Sequence, residues 1–365
     1  MGDKEMNNDT ISVRQYLMLL TVGLLPPLVK LVPGHQTVLA GRGAWLAPLA
    51  ALLPALAAVW LISVVGQSLG PHAGLGEFLC LCLGEKPGRV LCGVYAFWMM
   101  GLAVFALRFC AERFTSTLYP DTGPGLFFLT LSLLVWQLGQ RGLSATARAG
   151  ELFFYGVVVM MVVILAMTAG EMRWSNLWPV WRQDIGNVLE ASGEVLNATS
   201  LTVGALFLFS KTADRRGGGV LALSWTVGWF LVMTALGAVV LGVFGEDLVG
   251  RMQVPFFSLA KEVRVEQAME RLEPIVAAAW VFTDVILLSI LLRCAQTALE
   301  LAVNRALPGV NNALLLTLLP GAYLVAGSAY ALERVYHQWE TLGKTALFLA
   351  VPLVSVGVGK LRRVL

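Results

Sequence analysis

Two apolar stretches of the sequence contain residues that interrupt a helix or can bind a small polar ligand. The first reads TVGLLPPLVKLVPG at 21–34, and Gly23, Pro26, Pro27, Pro33 and Gly34 are poor residues for a helix interior. In a lipid bilayer an interrupted helix persists where protein buries it or where it borders a polar cavity, because its free backbone groups need partners. The stretch therefore predicts either such a cavity or a simple proline kink.

The second stretch, SGEVLNATSLTVGALFLF at 192–209, carries a polar cluster near its middle. The hydroxyl and amide groups of this cluster can satisfy an unwound backbone or bind a small polar ligand. The residues that carry them are Asn197, Thr199, Ser200 and Thr202. In the alternative interpretation the hydroxyl groups bond back to the backbone of their own helix. The sequence favours neither interpretation.

Two ionisable residues lie within apolar segments, where a charge is costly and marks function by default. Lys30 lies in the first stretch, and Asp284 follows the sequence WVFT at 280–283. Both residues are candidates for ion coupling, since Asp284 can carry a proton or pair with a base such as Arg293. The alternatives are a structural hydrogen bond for Asp284 and a Lys30 side chain that extends to the membrane surface.

The sequence gives no support for a metal-dependent enzyme or a nucleotide-binding protein. No HExxH motif occurs, and the glycine-rich sequence RRGGG at 215–219 lacks the GK[ST] ending of a phosphate-binding loop. The five cysteines form no CxxC pair, and the three histidines add no spacing typical of zinc ligands. We expect a protein that is not an enzyme and that binds no metal, cofactor or nucleic acid.

The composition indicates the solvent that surrounds these residues. The chain has 365 residues, of which 57% are hydrophobic and 13% are charged, against about 25% charged in soluble proteins. Its mean hydropathy is +0.74. A bilayer accommodates this composition, and a helix needs about 20 apolar residues to cross it. The sequence predicts an all-α integral membrane protein with one transmembrane domain over residues 1–365.

About ten apolar segments alternate with charged or turn-forming residues. The predicted spans are 11–38, 44–65, 90–114, 123–138, 152–169, 188–209, 220–244, 275–301, 311–328 and 342–358. If the spans form two five-helix halves, about 11–169 and about 188–358, the interrupted first and sixth helices occupy corresponding positions. Interrupted helices at matching positions of two inverted repeats point to a binding site near the middle of the membrane, where half-helix N-termini can bind a carboxylate.

The basic residues predict the orientation, because they collect in loops on the inner side of a membrane. With the N-terminus inside, the inner loops and the C-terminal tail contain Lys86, Arg89, Arg141, Arg148, Lys211, Arg215, Arg216, Arg305, Lys360, Arg362 and Arg363. Both termini are therefore predicted to lie inside, and the polar N-terminal segment lacks the features of a removable signal peptide. The outer loop at 245–274 mixes apolar and charged residues, which fits either an interfacial amphipathic helix or a solvated loop.

Several short motifs resemble the B subunits of spore germinant receptors, the GerAB-type spore germination proteins. The motifs are ISVRQ at 11–15, AGRGAWL at 40–46, RGL at 141–143, ARAGE at 147–151, NLWPV at 176–180, and MERLE at 269–273 with Trp280. Each motif is short, but their order and spacing cover nearly the whole chain. This family belongs to the amino acid–polyamine–organocation (APC) transporter superfamily.

The resemblance implies a LeuT-like fold of ten transmembrane helices in two inverted five-helix repeats, with discontinuous helices 1 and 6. It implies the inner membrane of the bacterial endospore as location, and a receptor A subunit and a C-subunit lipoprotein as partners. It also implies a germinant, commonly an amino acid, bound where helices 1 and 6 unwind. The residues at these positions are Val22, Gly23, Leu24, Leu25, Pro26, Pro27, Thr199, Ser200, Thr202 and Gly204.

One residue departs from the pattern of the family. The sixth helix of the family often has a Gly-Glu pair, whereas Gly204 is followed here by Ala205. Ligand contacts or ion coupling that depend on this acid therefore stay open. The first hypothesis is a nutrient sensor whose ligand shifts a conformational equilibrium that the partner subunits detect. The alternatives are an amino acid transporter, coupled to protons through Asp284 or Lys30, and a scaffold or ion-conducting subunit without a ligand.

Overall fold

The computed structural model describes residues 10–31, 33–69, 73–117, 119, 121–213, 217–252, 254–262, 273–325 and 329–364. In the first half of the chain the helices are α1 Val13–Leu31, α2 Gly34–Ala40, α3 Ala47–Ser68, α4 Leu75–Leu83, α5 Glu85–Thr117, α6 Pro124–Gln140 and α7 Gly142–Thr168. In the second half they are α8 Ile185–Thr199, α9 Leu201–Ala205, α10 Gly218–Phe244, α11 Glu246–Val249, α12 Pro255–Glu262, α13 Glu273–Val303, α14 Val310–Leu324, α15 Ala329–Gly343 and α16 Val351–Leu361.

Shorter elements connect these helices. The 3-10 turns are Gly41–Leu46, Ala169–Glu171, Trp174–Asn176, Arg182–Asp184 and Leu206–Lys211, and a π-helix spans Lys344–Ala350. Two short strands, β1 Ile11–Ser12 and β2 Thr212–Ala213, pair in parallel. This pair joins the start of α1 to the end of the sixth predicted span, a contact that the sequence did not indicate.

The apolar helices of the described chain follow the order of the predicted spans. Seven helical stretches are long and apolar enough to cross a bilayer, namely Gly34–Gly66, Glu85–Ser116, Gly142–Glu171, Ile185–Lys211, Gly218–Phe244, Ile275–Val303 and Ala331–Leu361. Three shorter apolar helices are Val13–Pro26, Pro124–Gln140 and Val310–Leu324. The prediction of an all-α, multi-pass membrane protein is confirmed. The arrangement as two inverted repeats stays a prediction.

The centre of the bundle is the contact between α5 and α13, which is the most extensive contact between any two helices of the described chain. Helix α13 also packs against α1 and α7, and it is the most buried of the apolar helices. Helices at the periphery instead expose large apolar side chains, such as Leu152 at 70% and Val220 at 74%. Such a surface is stable against lipid tails and would be unstable in water.

The turn between α4 and α5 brings these two helices into close contact. Gly84 has a φ of +102°, a backbone conformation that glycine adopts without strain. Four residues later, a Cβ atom at Gly88 would lie 2.6 Å from the Cα atom of Cys80. Only a residue without a side chain therefore fits at position 88.

The first predicted span is interrupted between Leu31 and Gly34, next to Pro33, whereas the unwinding that the resemblance implies at 22–27 is absent. Helix α1 is continuous through the predicted stretch 22–27, and the chain leaves the helix only after Leu31, before Pro33 and α2. The φ angle of proline suits a helix, and neighbouring helices in a membrane bundle compensate for its missing amide. Close packing supports this part of α1, because a Cβ atom at Gly23 would lie 2.6 Å from Cδ1 of Ile290 in α13.

The second predicted interruption is present, but it is mild. Helix α8 ends at Thr199, Ser200 forms a turn, and α9 is followed directly by the 3-10 turn Leu206–Lys211. Ser200 has φ −62° and ψ −17°, so the backbone changes its hydrogen-bond pattern without becoming extended.

Two helices, α11 and α12, occupy part of the predicted outer loop 245–274, of which residues 253 and 263–272 lie outside the described chain. The apolar residues Phe256, Phe257 and Leu259 of α12 are buried within the protein. The ring of Phe257 lies 4.9 Å from that of Trp280 in α13, between centroids. The apolar face of α12 is thus covered by the bundle and not by the membrane interface.

Candidate functional site

A cavity of about 530 Å³ lies among α1, α5, α8, α13 and α15. Its size is within the range of about 300–1,000 Å³ that is typical of small-molecule sites. It occupies the half of the bundle that contains the C-terminal part of α5 and the N-terminal part of α13. Apolar side chains such as Leu102, Leu201, Leu287 and Leu291 form much of its wall.

Ionisable side chains of both signs also border the cavity. The acids are Glu112, Glu194, Asp284 and Glu333, the bases are Arg113, Arg334 and Lys344, and two histidines, His35 and His337, complete the set. This density of charge is unusual for a protein with 13% charged residues. Because charges inside a membrane bundle are costly, their concentration around one cavity marks it as the candidate functional site.

The best-defined charged contact joins α5 to α13 at the cavity wall. Nη2 of Arg113 donates to both carboxylate oxygens of Asp284, at 3.0 and 2.8 Å. The thiol of Cys110 donates to the same carboxylate at 2.8 Å, and the ring of Trp280 lies 5.0 Å from the guanidinium carbon. The pair is almost fully buried, with side chains 10% and 3% exposed.

Asp284 does pair with a base, but not with Arg293, the base that the sequence analysis gave as an example. The acid pairs with Arg113 of α5, whereas Arg293 donates from Nη2 to the backbone carbonyl of Gly139 at 2.9 Å. Both alternatives for Asp284 remain compatible with this geometry, because a buried ion pair can be structural or can take part in ion coupling. An ion-coupling role of Asp284 stays a prediction.

Lys344 borders the cavity from the π-helix Lys344–Ala350 and is only 5% exposed. π-Helical segments are rare and are often found at functional sites, where an extra residue re-aims a side chain. The hydroxyl of Tyr95 in α5 donates to the carbonyl of Leu347 within this segment. The ring of Tyr95 also stacks near Phe348, so α5 supports the segment that carries Lys344.

The predicted ligand-binding residues of α1 are mostly buried in the core. Pro26 borders the cavity, whereas Val22, Leu24 and Leu25 are packed among other helices. Gly23 lies against α13, as described above. The side chains of Pro27 and Lys30 lie outside the part of the chain that the structure describes, so the predicted roles of these two residues are not tested.

The hydroxyl groups of the sixth span donate to their own helix. Thr199 donates to the carbonyl of Val195, Ser200 to that of Asn197, and Thr202 to that of Thr199. This is the simpler of the two interpretations of the polar cluster. The residues of this span that border the cavity are Glu194, Ala198 and Leu201, which flank the predicted positions. Ligand binding by the predicted positions stays a prediction.

Gly204, the last predicted position, serves helix packing. A Cβ atom at this position would overlap the methyl group of Met99 in α5 and lie 3.0 Å from a ring carbon of Phe348. The adjacent Ala205 is fully buried. Gly204 thus lets the sixth span approach α5 and the π-helix closely.

Of the nine acidic and basic residues at the cavity wall, sequence reasoning identified Asp284 alone as a candidate. Arg113, Glu194 and Lys344 are among those that it missed. Each is an ionisable residue within or at the end of a predicted apolar span, which was the available indication. The sequence could not indicate that these three residues meet around one cavity with Asp284, because they lie on four different helical elements.

Comparison with known proteins identifies the family. A family model described as "Spore germination protein" matches residues 10–334. The chain is also similar to "Spore germination protein KB" of Bacillus subtilis (strain 168), with 25% identity over 275 residues, which are 73% of this chain and 72% of that protein. The family match covers the cavity residues on α1, α5, α8 and α13, and it ends at residue 334 within α15. The chain belongs to the spore germination protein family, and its resemblance to GerAB-type germinant receptor subunits is confirmed.

Proposed function

We propose that this chain is the membrane subunit of a germinant receptor that binds a small nutrient in the charged cavity and triggers germination of the endospore. The cavity carries this proposal, because it combines a size suitable for a small molecule with ionisable groups of both signs. An amino acid fits such a site, since it presents a carboxylate and an ammonium group together. The role is one of binding and signalling and not of catalysis.

Binding in this cavity can change the arrangement of the helices. The cavity wall includes residues from both halves of the chain, on α1 and α5 and on α8, α13 and α15. A nutrient that binds one arrangement more tightly shifts the population toward it. We propose that a receptor A subunit and a C-subunit lipoprotein detect this shift in the inner membrane of the spore. With both termini inside, the cavity lies in the outer half of the bundle.

The proposal is tested by filling the cavity. Ala106 borders the cavity on α5, whereas Val94 on the same helix is 44% exposed on the outer surface of the bundle. We expect Ala106→Phe to raise the nutrient concentration for half-maximal germination at least about tenfold, which corresponds to about 1.4 kcal/mol of lost binding. Val94→Phe adds the same ring to the surface and should leave that concentration unchanged.

Germination is measured as the loss of optical density of spores that carry each variant at equal receptor abundance. Equal responses of Ala106→Phe and wild-type spores over the whole concentration range would refute binding in this cavity.

An amino acid transporter remains the second candidate, because the Arg113–Asp284 pair at the cavity wall could couple substrate movement to a proton. Uptake of labelled amino acids into proteoliposomes separates the two functions. Sustained uptake by the purified chain, abolished by Asp284→Asn, would favour transport over sensing.

A further inference from the structure

We propose that basic side chains at one end of the bundle form a binding site for the headgroup of an anionic phospholipid. The site lies where the C-terminal end of α16 meets the turn between α4 and α5. This inference goes beyond the proposed function and does not depend on it, because it concerns how the protein interacts with its membrane and not what binds in the cavity.

A direct contact joins the two segments that form the site. Nη1 of Arg362 donates to the carbonyl of Cys82 at 3.3 Å, although the two residues are 280 positions apart in the chain. The same nitrogen lies 3.4 Å from the position of a Cβ atom at Gly84. Helices α4 and α16 also pack against each other. The end of α16 is therefore held at the turn between α4 and α5.

This contact brings positive charges together. Lys86 follows Gly84 by two positions, and Lys360 and Arg363 lie within two positions of Arg362. Two residues span at most about 7 Å, so the backbone of each base lies close to the contact. The bases within 81–90 and 358–364 are Lys86, Arg89, Lys360, Arg362 and Arg363, and the acid is Glu85. Five positive charges thus surround one negative charge.

Three of these cations are free to bind an anion. The side chains of Lys86, Lys360 and Arg363 belong to exposed residues, and none of the three makes a hydrogen bond or an ion pair within the part of the chain that the structure describes. Arg89 differs from them, because its guanidinium is paired with Glu85 one helical turn away. The positive charge of the three free side chains is therefore uncompensated by the protein.

The surface around the cations favours a lipid over a dissolved anion. Leu361, which lies between Lys360 and Arg362, is 85% exposed, and Val90 on the first turns of α5 is 68% exposed. A phospholipid matches both features, since its phosphate can face the cations while its acyl chains cover the apolar side chains. Clusters of Lys and Arg next to membrane helices bind anionic headgroups for this reason.

The test measures lipid binding to the full-length chain in detergent by native mass spectrometry. The probes are dioleoyl phosphatidylglycerol, which is anionic, and dioleoyl phosphatidylcholine, which is zwitterionic. We expect wild type to bind the first phosphatidylglycerol at least about 30-fold more tightly than phosphatidylcholine. Lys86→Gln/Arg363→Gln removes one cation from each segment and should weaken binding of phosphatidylglycerol about 30-fold, at about fivefold for each cation near a membrane surface.

Matched variants separate this site from the general attraction of basic loops. Arg141→Gln/Arg148→Gln removes the same charge from exposed positions at the start of α7 and should leave the affinity for phosphatidylglycerol within about twofold of wild type. Lys86→Arg/Arg363→Lys keeps both charges and should also bind as wild type does. All of these substitutions replace exposed side chains, so the variants should fold as wild type does.

Three results would overturn the inference. The first is equal affinity of wild type for the two lipids, and the second is equal loss of affinity in Lys86→Gln/Arg363→Gln and Arg141→Gln/Arg148→Gln. The third is displacement of phosphatidylglycerol by an equal concentration of glycerol 3-phosphate, which would show a site for soluble anions. None of these results bears on the cavity, which the response of Ala106→Phe spores tests separately.

Discussion

Replacing Asp284 by alanine is expected to lower the free energy of unfolding by about 3–5 kcal/mol, because the guanidinium of Arg113 then stays buried without its carboxylate. The geometry of the ion pair favours the upper part of this range of unfolding free energy. Both carboxylate oxygens accept hydrogen bonds from Arg113, at 3.0 and 2.8 Å, and the two side chains are 10% and 3% exposed.

The double variant Arg113→Met/Asp284→Leu should be far more stable than the sum of its single variants. Apolar residues of similar volume in place of a buried ion pair are often neutral or stabilising by about 1–4 kcal/mol. The coupling energy of the double-mutant cycle is therefore expected to be about 3 kcal/mol or more. Wild type, both single variants and the double variant are compared by reversible unfolding in mixed micelles.

The exposed pair between Arg42 and Glu246 provides the matched control. Its N–O distance is also 2.8 Å, but its side chains are 45% and 34% exposed. Glu246→Ala is expected to cost about 0–1 kcal/mol, because water screens and solvates an exposed pair. If Asp284→Ala costs no more than Glu246→Ala, burial does not determine the strength of this ion pair and the reasoning fails.

Three further substitutions are compared by the same unfolding measurement, two for helix packing and one for a hydrogen bond. Gly88→Ala should destabilise the protein by about 1–3 kcal/mol, because its Cβ atom meets the backbone of Cys80. Gly156→Ala, where a Cβ atom meets nothing within 4 Å, should stabilise it by up to about 1 kcal/mol, and equal effects of the two would contradict the packing argument. Tyr95→Phe removes the donor to the carbonyl of Leu347 and should cost about 0.5–1.5 kcal/mol. No change in the unfolding free energy of Tyr95→Phe would exclude a stabilising hydrogen bond to the π-helix.

The membrane helices could be predicted from the sequence because the solvent acts on each segment separately. A helix that faces lipid needs apolar residues on all sides, and Leu152 and Val220, which are exposed, would be out of place in a soluble protein. Length and composition of each segment therefore identify it without knowledge of its neighbours.

The low helix propensity of proline did not correctly predict where α1 ends. Two adjacent prolines, Pro26 and Pro27, predict a break, since each costs about 3 kcal/mol in a helix interior. The structure keeps the helix through them, and the contact between Gly23 and Ile290 shows how closely α13 supports this segment. Packing between helices overrides propensity here, and the sequence of one helix does not contain that information.

The sequence indicates single charged residues of the cavity, but not which of them lie next to each other. Asp284 is recognisable as an acid in an apolar span, but its partner Arg113 is 171 positions away. The nearer base, Arg293, has a backbone carbonyl as its partner. Partners across a bundle depend on which helices are neighbours, and that follows from the arrangement of all helices together.

The parallel strand pair has a mechanical consequence for the cavity. Ile11 and Ser12 are joined to Thr212 and Ala213, and the rings of Tyr16 and Phe209 meet beside them at 5.7 Å. These contacts hold the start of α1 next to the end of the sixth span, so α1 can tilt about this point, which acts as a pivot. Pro26 lies about 20 Å along α1 from this pivot, so a tilt of about 6° would displace the cavity wall by about 2 Å. Small rotations at the strand pair thus become movements of atomic size at the cavity wall.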